Sequence, residues 1–252
     1  MVRVTVLITN DDGISAEGIQ VLRQFLSGLG EVWVVAPDRE RNAVSNALTL
    51  HRPLRLNELS PRSYAVNGTP ADCVNIAIHY ILPERPQVLI SGINRGANLG
   101  NDVHYSGTVA AALEGARMGI PSFAISLAAE QLFQYEPAAR FAFRLAQRIL
   151  RDGLPVNTML NVNVPDSGGK PIDRYRITSL GTGSHRNTIE EKCDPRGVSY
   201  YWIGREPTGH GAREADHRSD YGAVKDHCIS LTPLEIDRTQ HSSLQELSEW
   251  KL

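Results

Sequence analysis

Acidic and amide side chains stand directly after three apolar segments of the sequence, where they could bind a cation. Carboxylate and amide oxygens are the ligands that Mg²⁺ and Mn²⁺ prefer in proteins. If the apolar segments are parallel strands, their carboxyl ends meet at one edge of a sheet, where ligands bind in open α/β folds. The three groups are Asp11 with Asp12, Asp38–Asn42, and Asn94 with Asn98.

A purely structural role for the first group is also open. An Asp-Asp-Gly sequence after a strand is favourable turn chemistry, and Asn is a common loop residue. Asp11 and Asp12 alone are therefore compatible with either a turn or a metal site.

A third kind of loop favours the functional alternative. Ser106, Gly107 and Thr108 open an Ala-rich segment, Val109–Met118, that has the character of a helix. A helix start presents free N–H groups and a positive dipole end, and here two hydroxyls accompany them, which together suit a phosphate. The alternative for Ser106 is a plain N-cap, which is the commoner use of Ser before a helix.

Other polar residues give weaker signals. His104 lies two residues before Ser106 and could line the same pocket, whereas the remaining histidines have no partner suggested by spacing. The sequence has neither a Walker A motif nor a Gly-x-Gly-x-x-Gly motif after its first strand. Its three cysteines are far apart, which indicates neither a disulfide framework nor a Cys-x-x-Cys site.

Alternating strand and helix patterns must position these residues. Apolar runs read as buried strands, and segments with capping residues and 3.6-residue periodicity read as helices. Alternation of this kind predicts a doubly wound α/β core with a mostly parallel, Rossmann-like sheet over residues 1–165. The predicted strands are Val4–Thr9, Glu31–Ala36, Gln87–Ser91, Ser122–Leu127 and Met159–Val164. The predicted helices are Ser15–Leu26, Thr69–Leu82, Ser106–Met118 and Ala138–Arg151, and a Gly-rich loop is expected over Gly92–Gly100.

The sequence changes character after residue 165. Residues 183–222 are polar, charged and rich in His and Gly, and only residues 200–203 read as strand. This stretch is too long for a routine connection, so we expect a projecting arm or a functional loop system, followed by a final strand and helix that return to the core. The arm would pack on a neighbouring subunit of a homodimer or homotetramer, with Tyr200, Tyr201 and Trp202 as anchors, or fold over its own active site as a lid.

Composition excludes several functional classes. With 26 Lys and Arg against 28 Asp and Glu, the net charge is −2, so no overall basic field would attract a nucleic-acid polymer. No apolar run approaches the ~18 residues that a membrane-spanning helix needs. The first residues lack the pattern of a signal peptide, and we expect a cytoplasmic location.

Five segments of the sequence can be compared with a known family by their order and spacing. They are Ile8–Gly13, Val35–Arg39, Gly68–Val74, Ser91–Gly100 and Tyr105–Ala112. These segments resemble the signature segments of the SurE family of stationary-phase survival proteins, which are metal-dependent 5′/3′-nucleotidases. Asp220 and the segment Ser230–Leu234 extend the resemblance almost to the end of the chain.

The resemblance implies a set of site residues. The metal ligands would be Asp11, Asp12, Asn94 and a residue after the second strand, here Asn42, where many family members carry Ser. Phosphate contacts are implied near Asn98 and at Ser106 to Thr108. The resemblance also implies a C-terminal extension that exchanges between subunits.

We therefore expect a phosphatase that hydrolyses nucleoside 5′-monophosphates with one Mg²⁺ or Mn²⁺ per subunit. Asp11 and Asp12 would be catalytic; 3′-monophosphates and short polyphosphate are possible further substrates. Two other functions remain open from the sequence: a nucleotide-binding sensor without turnover, and a sugar-nucleotide transferase. Release of phosphate from AMP or GMP would distinguish them.

Overall fold

A computed structural model of the chain describes residues 4–182, 187–205 and 216–250. Its strands are β1 (Thr5–Thr9), β2 (Glu31–Pro37), β3 (Leu56–Ser60), β4 (Ser63–Val66), β5 (Val88–Arg95), β6 (Ser122–Ala128), β7 (Thr158–Pro165), β8 (Tyr175–Ile177), β9 (Asn187–Cys193), β10 (Ser199–Arg205) and β11 (Ile229–Glu235). Its α-helices are α1 (Glu17–Leu26), α2 (Pro70–Ile76), α3 (Gly107–Arg117), α4 (Glu136–Asp152), α5 (Asp220–Lys225) and α6 (Leu244–Ser248).

A nine-stranded sheet forms the centre of the fold, in the order β3-β4-β2-β1-β5-β6-β7-β11-β8. The strands from β4 to β7 are parallel, whereas β3 and β11 each run antiparallel to a neighbour. The chain moves outward from β1 to β2 and then returns to place β5 on the other side of β1, so the strand order reverses between β1 and β5. The predicted doubly wound, mostly parallel α/β fold is confirmed.

Strand β1 is covered by helices on both faces, as its apolar sequence predicts. Val6 and Ile8 pack with α1 and α4 on one face of the sheet. Leu7 points to the opposite face and belongs to the cluster formed with α2 and α3. Full burial of such an aliphatic side chain stabilises the fold by about 1.5–3 kcal/mol, so this alternation fixes both layers and the register of β1.

Two helix starts differ in how well the sequence predicted them. The Thr69 side chain accepts a hydrogen bond from the backbone N–H of Asp72, whose carboxylate accepts one from Thr69 N–H in return. The predicted cap at Ser15 is wrong, because α1 begins one residue later, with Ala16 at the N-cap and no capping side chain. Helix ends fray, so the first residue of a helix commonly shifts by one or two positions.

The helix that starts at Pro70 changes its hydrogen-bond pattern before it ends. Residues 77–81 form a π-helical turn closed by the bond from Leu82 N–H to the Ala77 carbonyl at 2.9 Å. The prediction of a continuous α-helix to Leu82 is therefore wrong over its last turn. Pro83 follows directly and prevents further helical bonds.

The sheet extends further than the sequence indicated. Residues 56–66 form the hairpin of β3 and β4 at one edge, where the mostly polar, exposed β3 gives no apolar alternation. At the other side β11 pairs with β7, and β8 with β11. Helix α5 packs on β11 and β7, whereas α6 has no buried residue. The division into residues 1–165 and 166–252 stays a prediction.

Strands β9 and β10 form a separate antiparallel hairpin, which we call the arm hairpin. Only its second strand was predicted, because the charged sequence of β9 lacks the period of a half-buried strand. Other parts of the predicted arm, residues 183–186 and 206–215, lie outside the described residues. Within the described part of the chain, no helix is long and apolar enough to cross a membrane.

Candidate active site

The loop after β1 brings Asp11 to the carboxyl edge of the sheet. The side-chain amide of Asn10 donates to the Gly13 carbonyl at 2.8 Å, and Gly13 adopts a φ of +97°, which favours glycine. The Ile14 N–H then donates to the carbonyl of Pro37 at the end of β2, at 2.8 Å. These bonds hold the turn, and they leave Asp11 with only 4% of its surface exposed.

Three oxygen-bearing side chains from different elements meet there. The Thr108 hydroxyl, fully buried at the start of α3, donates a hydrogen bond to Asp11 Oδ1. The same hydroxyl lies 3.3 Å from Asn94 Oδ1 near the end of β5. The Asn94 amide nitrogen is used in a bond to the Gly96 carbonyl at 2.9 Å, which orients its oxygen toward the other two groups. The predicted residues Asp11, Asn94 and Thr108 therefore lie together.

The start of α3 packs directly against the Asp11 carboxylate. A Cβ atom on Gly107 would lie 2.9 Å from Asp11 Oδ2, so only glycine permits this approach. The positive end of a helix dipole stabilises such an anion. Ser106 acts as the N-cap, since its hydroxyl accepts a hydrogen bond from the Val109 N–H at 3.1 Å. The capping role of Ser106 is thus observed, and a role in phosphate binding stays a prediction.

Burial makes negative charge at the two aspartates costly. Burial, together with the smaller effect of the Asp12 charge, raises the pKa of Asp11 to about 6, although the hydrogen bond from Thr108 lowers it. The pKa of Asp12 is also raised, first by burial and then by the charge of Glu40, although the Arg95 N–H donates to its Oδ2 at 3.0 Å. A bound cation would remove this penalty because it neutralises both carboxylates.

Asn94 reaches the site from within a strand, where a loop was expected. Strand β5 continues to Arg95, pairing Asn94 with Ser126 and Arg95 with Leu127 of β6 after a register shift at Gly92. The peptide bond between Gly92 and Ile93 is cis, and Gly92 passes so close to the Ile125 carbonyl that a Cβ would lie 2.2 Å from it. Pairing with β6 overrides the turn signal of the glycines, so the prediction of a loop starting at Gly92 is wrong.

Asn42 lies on a loop tied to the site by its neighbours. The Arg41 N–H donates to the Asp11 carbonyl at 2.7 Å, one residue before Asn42. The Asn42 side chain is exposed and its amide nitrogen donates to the Glu40 carboxylate, which leaves the oxygen that a metal would need outside this bond. The contact with Asp11 is made by the backbone of Arg41 and not by the Asn42 side chain, so the role of Asn42 as a ligand stays a prediction.

Asn98 belongs to a buried hydrogen-bond network that includes the side-chain amides of Asn161 and Asn163. Its side-chain nitrogen donates to the Ser126 hydroxyl at 2.8 Å. Its backbone N–H donates to Asn163 Oδ1 at 2.8 Å, and its carbonyl accepts bonds from the amides of Asn161 and Asn163 at 2.8 and 3.0 Å. This network fixes the start of the loop that leads to Ser106.

Aromatic and basic side chains contact one another on the Asp12 side of the site. The Arg95 guanidinium lies 4.7 Å from the centre of the Phe133 ring, which stacks on Tyr135. Burial, together with the smaller effects of the charges of Asp12 and Glu17, raises the pKa of Tyr135 to about 12. The Tyr135 hydroxyl therefore keeps its proton at neutral pH, next to the paired carboxylates.

The donor set fits a hard divalent cation rather than a soft one. Within residues 4–182, 187–205 and 216–250, no group of three or more His, Cys, Asp or Glu side chains is arranged to hold a metal ion. A metal here would therefore depend on the aspartate pair together with amide oxygens, all of them hard ligands. His104, predicted to line the pocket, is exposed, and its carbonyl accepts a bond from the Ser45 hydroxyl at 2.8 Å.

Sequence reasoning missed several residues that support the site. Asn161 and Asn163 were not singled out, although they alternate within a predicted buried strand, where Asn is uncommon. Two such residues on one face of a strand are a signal that could have been used. Asp220 was noted only as part of the family resemblance, and nothing in its sequence surroundings indicated its contacts.

Comparisons with known proteins agree on one family. The family model described as "Survival protein SurE" matches residues 6–187. The protein named 5′-nucleotidase SurE from Pelobacter propionicus is 50% identical over 250 residues, covering 97% of this chain and 98% of its own length. The protein of the same name from Geobacter sulfurreducens is 50% identical over 249 residues, covering 98% of this chain and 94% of its own length.

A solved structure shows the same fold over nearly the whole chain. The crystal structure of the SurE protein from Aquifex aeolicus matches with a TM-score of 0.86 and 38% sequence identity. The match covers 97% of this chain and 98% of that one. From the family model and the full-length relatives together, this chain belongs to the SurE family.

Proposed function

We infer that this chain is a 5′-nucleotidase, a phosphoric monoester hydrolase that converts nucleoside monophosphates to nucleoside and phosphate. Relatives of that name are about half identical over almost the full chain. The observation that carries the inference at the site is the meeting of Asp11, Thr108 and Asn94 at the start of α3. This arrangement joins oxygen ligands for a cation to a helix N-terminus suited to phosphate.

We propose that Asp11, Asp12, Asn42 and Asn94 hold one Mg²⁺ or Mn²⁺ per subunit. When bound, such a cation supplies Lewis acidity toward a phosphoryl oxygen and lowers the pKa of a coordinated water. The Thr108 hydroxyl and the Arg95 N–H fix the orientation of the two carboxylates through their hydrogen bonds. A pre-oriented pair avoids reorganisation during the reaction.

The substrate phosphate would lie between the aspartates and the residues Asn98, Ser106, Gly107 and Thr108. As phosphoryl transfer proceeds, charge redistributes over the non-bridging oxygens, and N–H and O–H donors stabilise it. Gly107 allows the backbone to approach closely because it has no side chain. Asn98 is held in one orientation because its backbone N–H and one N–H of its side-chain amide donate to Asn163 and Ser126. The second N–H of that amide is the group that would bind phosphate.

We also propose a homodimer or homotetramer in a cytoplasmic location. The arm hairpin supports the assembly, because Tyr201 and Trp202 are 61% and 60% exposed and Ile203 is 74% exposed. Aromatic side chains supply much of the binding energy of such contacts.

A panel of phosphorylated substrates tests the proposed activity. We expect phosphate release from AMP and GMP, loss of that release after exhaustive EDTA treatment, and its return on addition of Mn²⁺ or Mg²⁺. Including 3′-monophosphates and short polyphosphate determines the breadth of the reaction. Binding of AMP without release of phosphate would instead indicate a sensor, and transfer of sugar to an acceptor would indicate a transferase.

A further inference from the structure

Asp220 is a buried carboxylate outside the candidate metal site. It has no exposed surface and stands at the first position of α5. Its partners are three backbone N–H groups from three places in the chain: Tyr221 and Gly181 donate to Oδ1, both at 2.8 Å, and Gly100 donates to Oδ2 at 2.7 Å. Hydrogen bonds from N–H groups to an ionised carboxylate are about twice as strong as neutral ones.

Two of these segments flank the arm hairpin. Gly181 lies just before it, and Asp220 lies after it. The segments are joined to each other as well, since the Asp220 N–H donates to the Ser179 carbonyl at 2.9 Å and Ser179 pairs with Ser219 in an isolated bridge. We call this junction, residues 178–182 and 219–222, the arm base.

The third segment belongs to the substrate loop, residues 96–106. Gly100 lies two residues after Asn98 and opens the 3₁₀ turn Gly100–His104 that leads to Ser106. It has a φ of +50°, and a Cβ atom on it would lie 2.6 Å from the Gly181 carbonyl oxygen and 2.7 Å from the Tyr221 ring. The substrate loop therefore rests directly on the arm base.

The substrate loop is held by attachments of different kinds. Asn98 is bonded to β6 and β7 of the sheet through Ser126, Asn161 and Asn163. Gly100 is bonded to the arm base through Asp220. The carbonyls of His104 and Tyr105 accept bonds from Ser45. The bond from Gly100 to Asp220 therefore fixes the first residue of the turn Gly100–His104, which connects Asn98 to Ser106.

We propose that Asp220 is a positioning residue for phosphate binding, which acts through Gly100 on the substrate loop and links that loop to the arm base. The proposal rests on the proposed function only in taking phosphate as the ligand. Asp220 makes no contact with Asp11, Asp12 or Asn94, so its effect is expected on phosphate and not on the metal.

The substitution Asp220→Asn addresses the link selectively. An Asn oxygen can replace Oδ1 and keep the bonds from Gly181 and Tyr221, whereas the NH₂ group then faces the Gly100 N–H and cannot accept from it. Asp226→Asn is a matched control: it removes the same charge six residues later, where the carboxylate bonds to Arg176 and His217 instead.

The affinity for inorganic phosphate is measured by titrating phosphate into the full chain with Mn²⁺ present. The affinity for Mn²⁺ is measured in a separate titration. For Asp220→Asn we expect phosphate affinity to fall on the order of 10-fold, and KM for AMP to rise more than kcat falls, while Mn²⁺ affinity stays unchanged. Asp226→Asn should match the wild type in all three. Wild-type phosphate affinity in Asp220→Asn would overturn the proposal, as would equal losses of phosphate and Mn²⁺ affinity.

If circular dichroism shows that Asp220→Asn does not fold, Gly100→Ala decides the matter, because its methyl group would push the substrate loop off the arm base with Asp220 intact. We expect the same selective loss of phosphate affinity, and a folded Gly100→Ala protein with wild-type affinity would contradict the proposal. Phosphate binding needs no turnover. A wild-type chain that binds phosphate but fails to hydrolyse AMP would therefore refute the nucleotidase function without affecting this test.

Discussion

The carboxyl edge of the sheet and the arm hairpin depart from the usual distribution of side chains in opposite ways. At the sheet edge, the charged Asp11 is 4% exposed, and its partner Asp12 raises its pKa further. On the arm hairpin, Trp202 and Ile203 are 60% and 74% exposed. Buried charge and exposed apolar surface both cost free energy in an isolated chain. The proposed function accounts for both departures, since a cation would neutralise the carboxylates in the first region and a second protein surface would cover the apolar side chains in the other.

The largest expected effect comes from removing charge at the sheet edge. Asp11→Asn and Asp12→Asn each delete an anionic ligand, and we expect turnover to fall at least ~100-fold, as for damaged metal shells. Thermal unfolding should show a retained fold, because the substitution relieves repulsion between the two neighbouring carboxylates. Asp173→Asn is the control, since that carboxylate is exposed and pairs with Arg144 at a distance from the site. Near-normal turnover in both site variants would mean that the aspartates serve only the turn.

A smaller effect is expected from closing the space at the start of α3. Gly107→Ala places a methyl group against Asp11, so the helix and the carboxylate must separate. Displacements of this size reduce turnover on the order of 10-fold to 100-fold. Steady-state kinetics on AMP measures the loss. Gly28→Ala serves as the comparison, because its Cβ would lie 3.3 Å from the Phe143 ring and 3.9 Å from the Phe25 carbonyl oxygen, away from the site. Unchanged kcat and KM in Gly107→Ala would show that turnover of AMP does not require the close approach of α3 to Asp11.

Substitutions of Asn42 test whether this residue is a ligand of the proposed metal site at the same edge of the sheet. Asn42→Ala removes an oxygen donor, and Asn42→Ser restores the residue that many family members carry. We expect Mn²⁺ affinity on the order of 10-fold lower in the Ala variant, with the Ser variant binding better than Ala. Equal affinity in all three proteins would show that this position is not a ligand.

Substitutions in the arm hairpin should change the oligomeric state of the protein and leave its Mn²⁺ affinity nearly unchanged. We expect the double substitution of Tyr201 and Trp202 by Ala to lower the mass measured by light scattering, because it removes the exposed aromatic anchors. Mn²⁺ affinity should stay at the wild-type value. An unchanged oligomer with impaired AMP binding would favour the lid alternative, and a monomeric wild-type protein would rule out subunit exchange.

The order of elements in the core could be predicted from sequence because each strand and helix carries its own local signal. The apolar run before Asp11 and the capping box at Thr69 are such signals: β1 forms as expected, and α2 begins as expected although its last turn differs. The hairpin of β3 and β4 could not be predicted in this way. Strand β4 is held by pairing with β2, and β3 is held by pairing with β4. Such tertiary contacts leave little trace in the sequence of the exposed edge strand β3.

The candidate site was predictable at its centre and not in its supports. Asp11, Thr108 and Asn94 follow from strand ends and a helix start, which local patterns indicate. The amides of Asn161 and Asn163 support Asn98 across 63 and 65 residues of sequence. Asp220 reaches Gly100 across 120 residues. Contacts over such separations depend on which strands are neighbours, and a single sequence does not contain that information.

The central claim is that the buried Asp11 and its partly exposed neighbour Asp12 hold a divalent cation. Equilibrium titration of the metal-free chain with Mn²⁺ tests it most directly, since it requires neither substrate nor turnover. The account predicts one Mn²⁺ per chain in the wild type, and binding weakened at least ~100-fold in both Asp11→Asn and Asp12→Asn. Wild-type binding in both variants, or no Mn²⁺ bound by the wild-type chain, would contradict it.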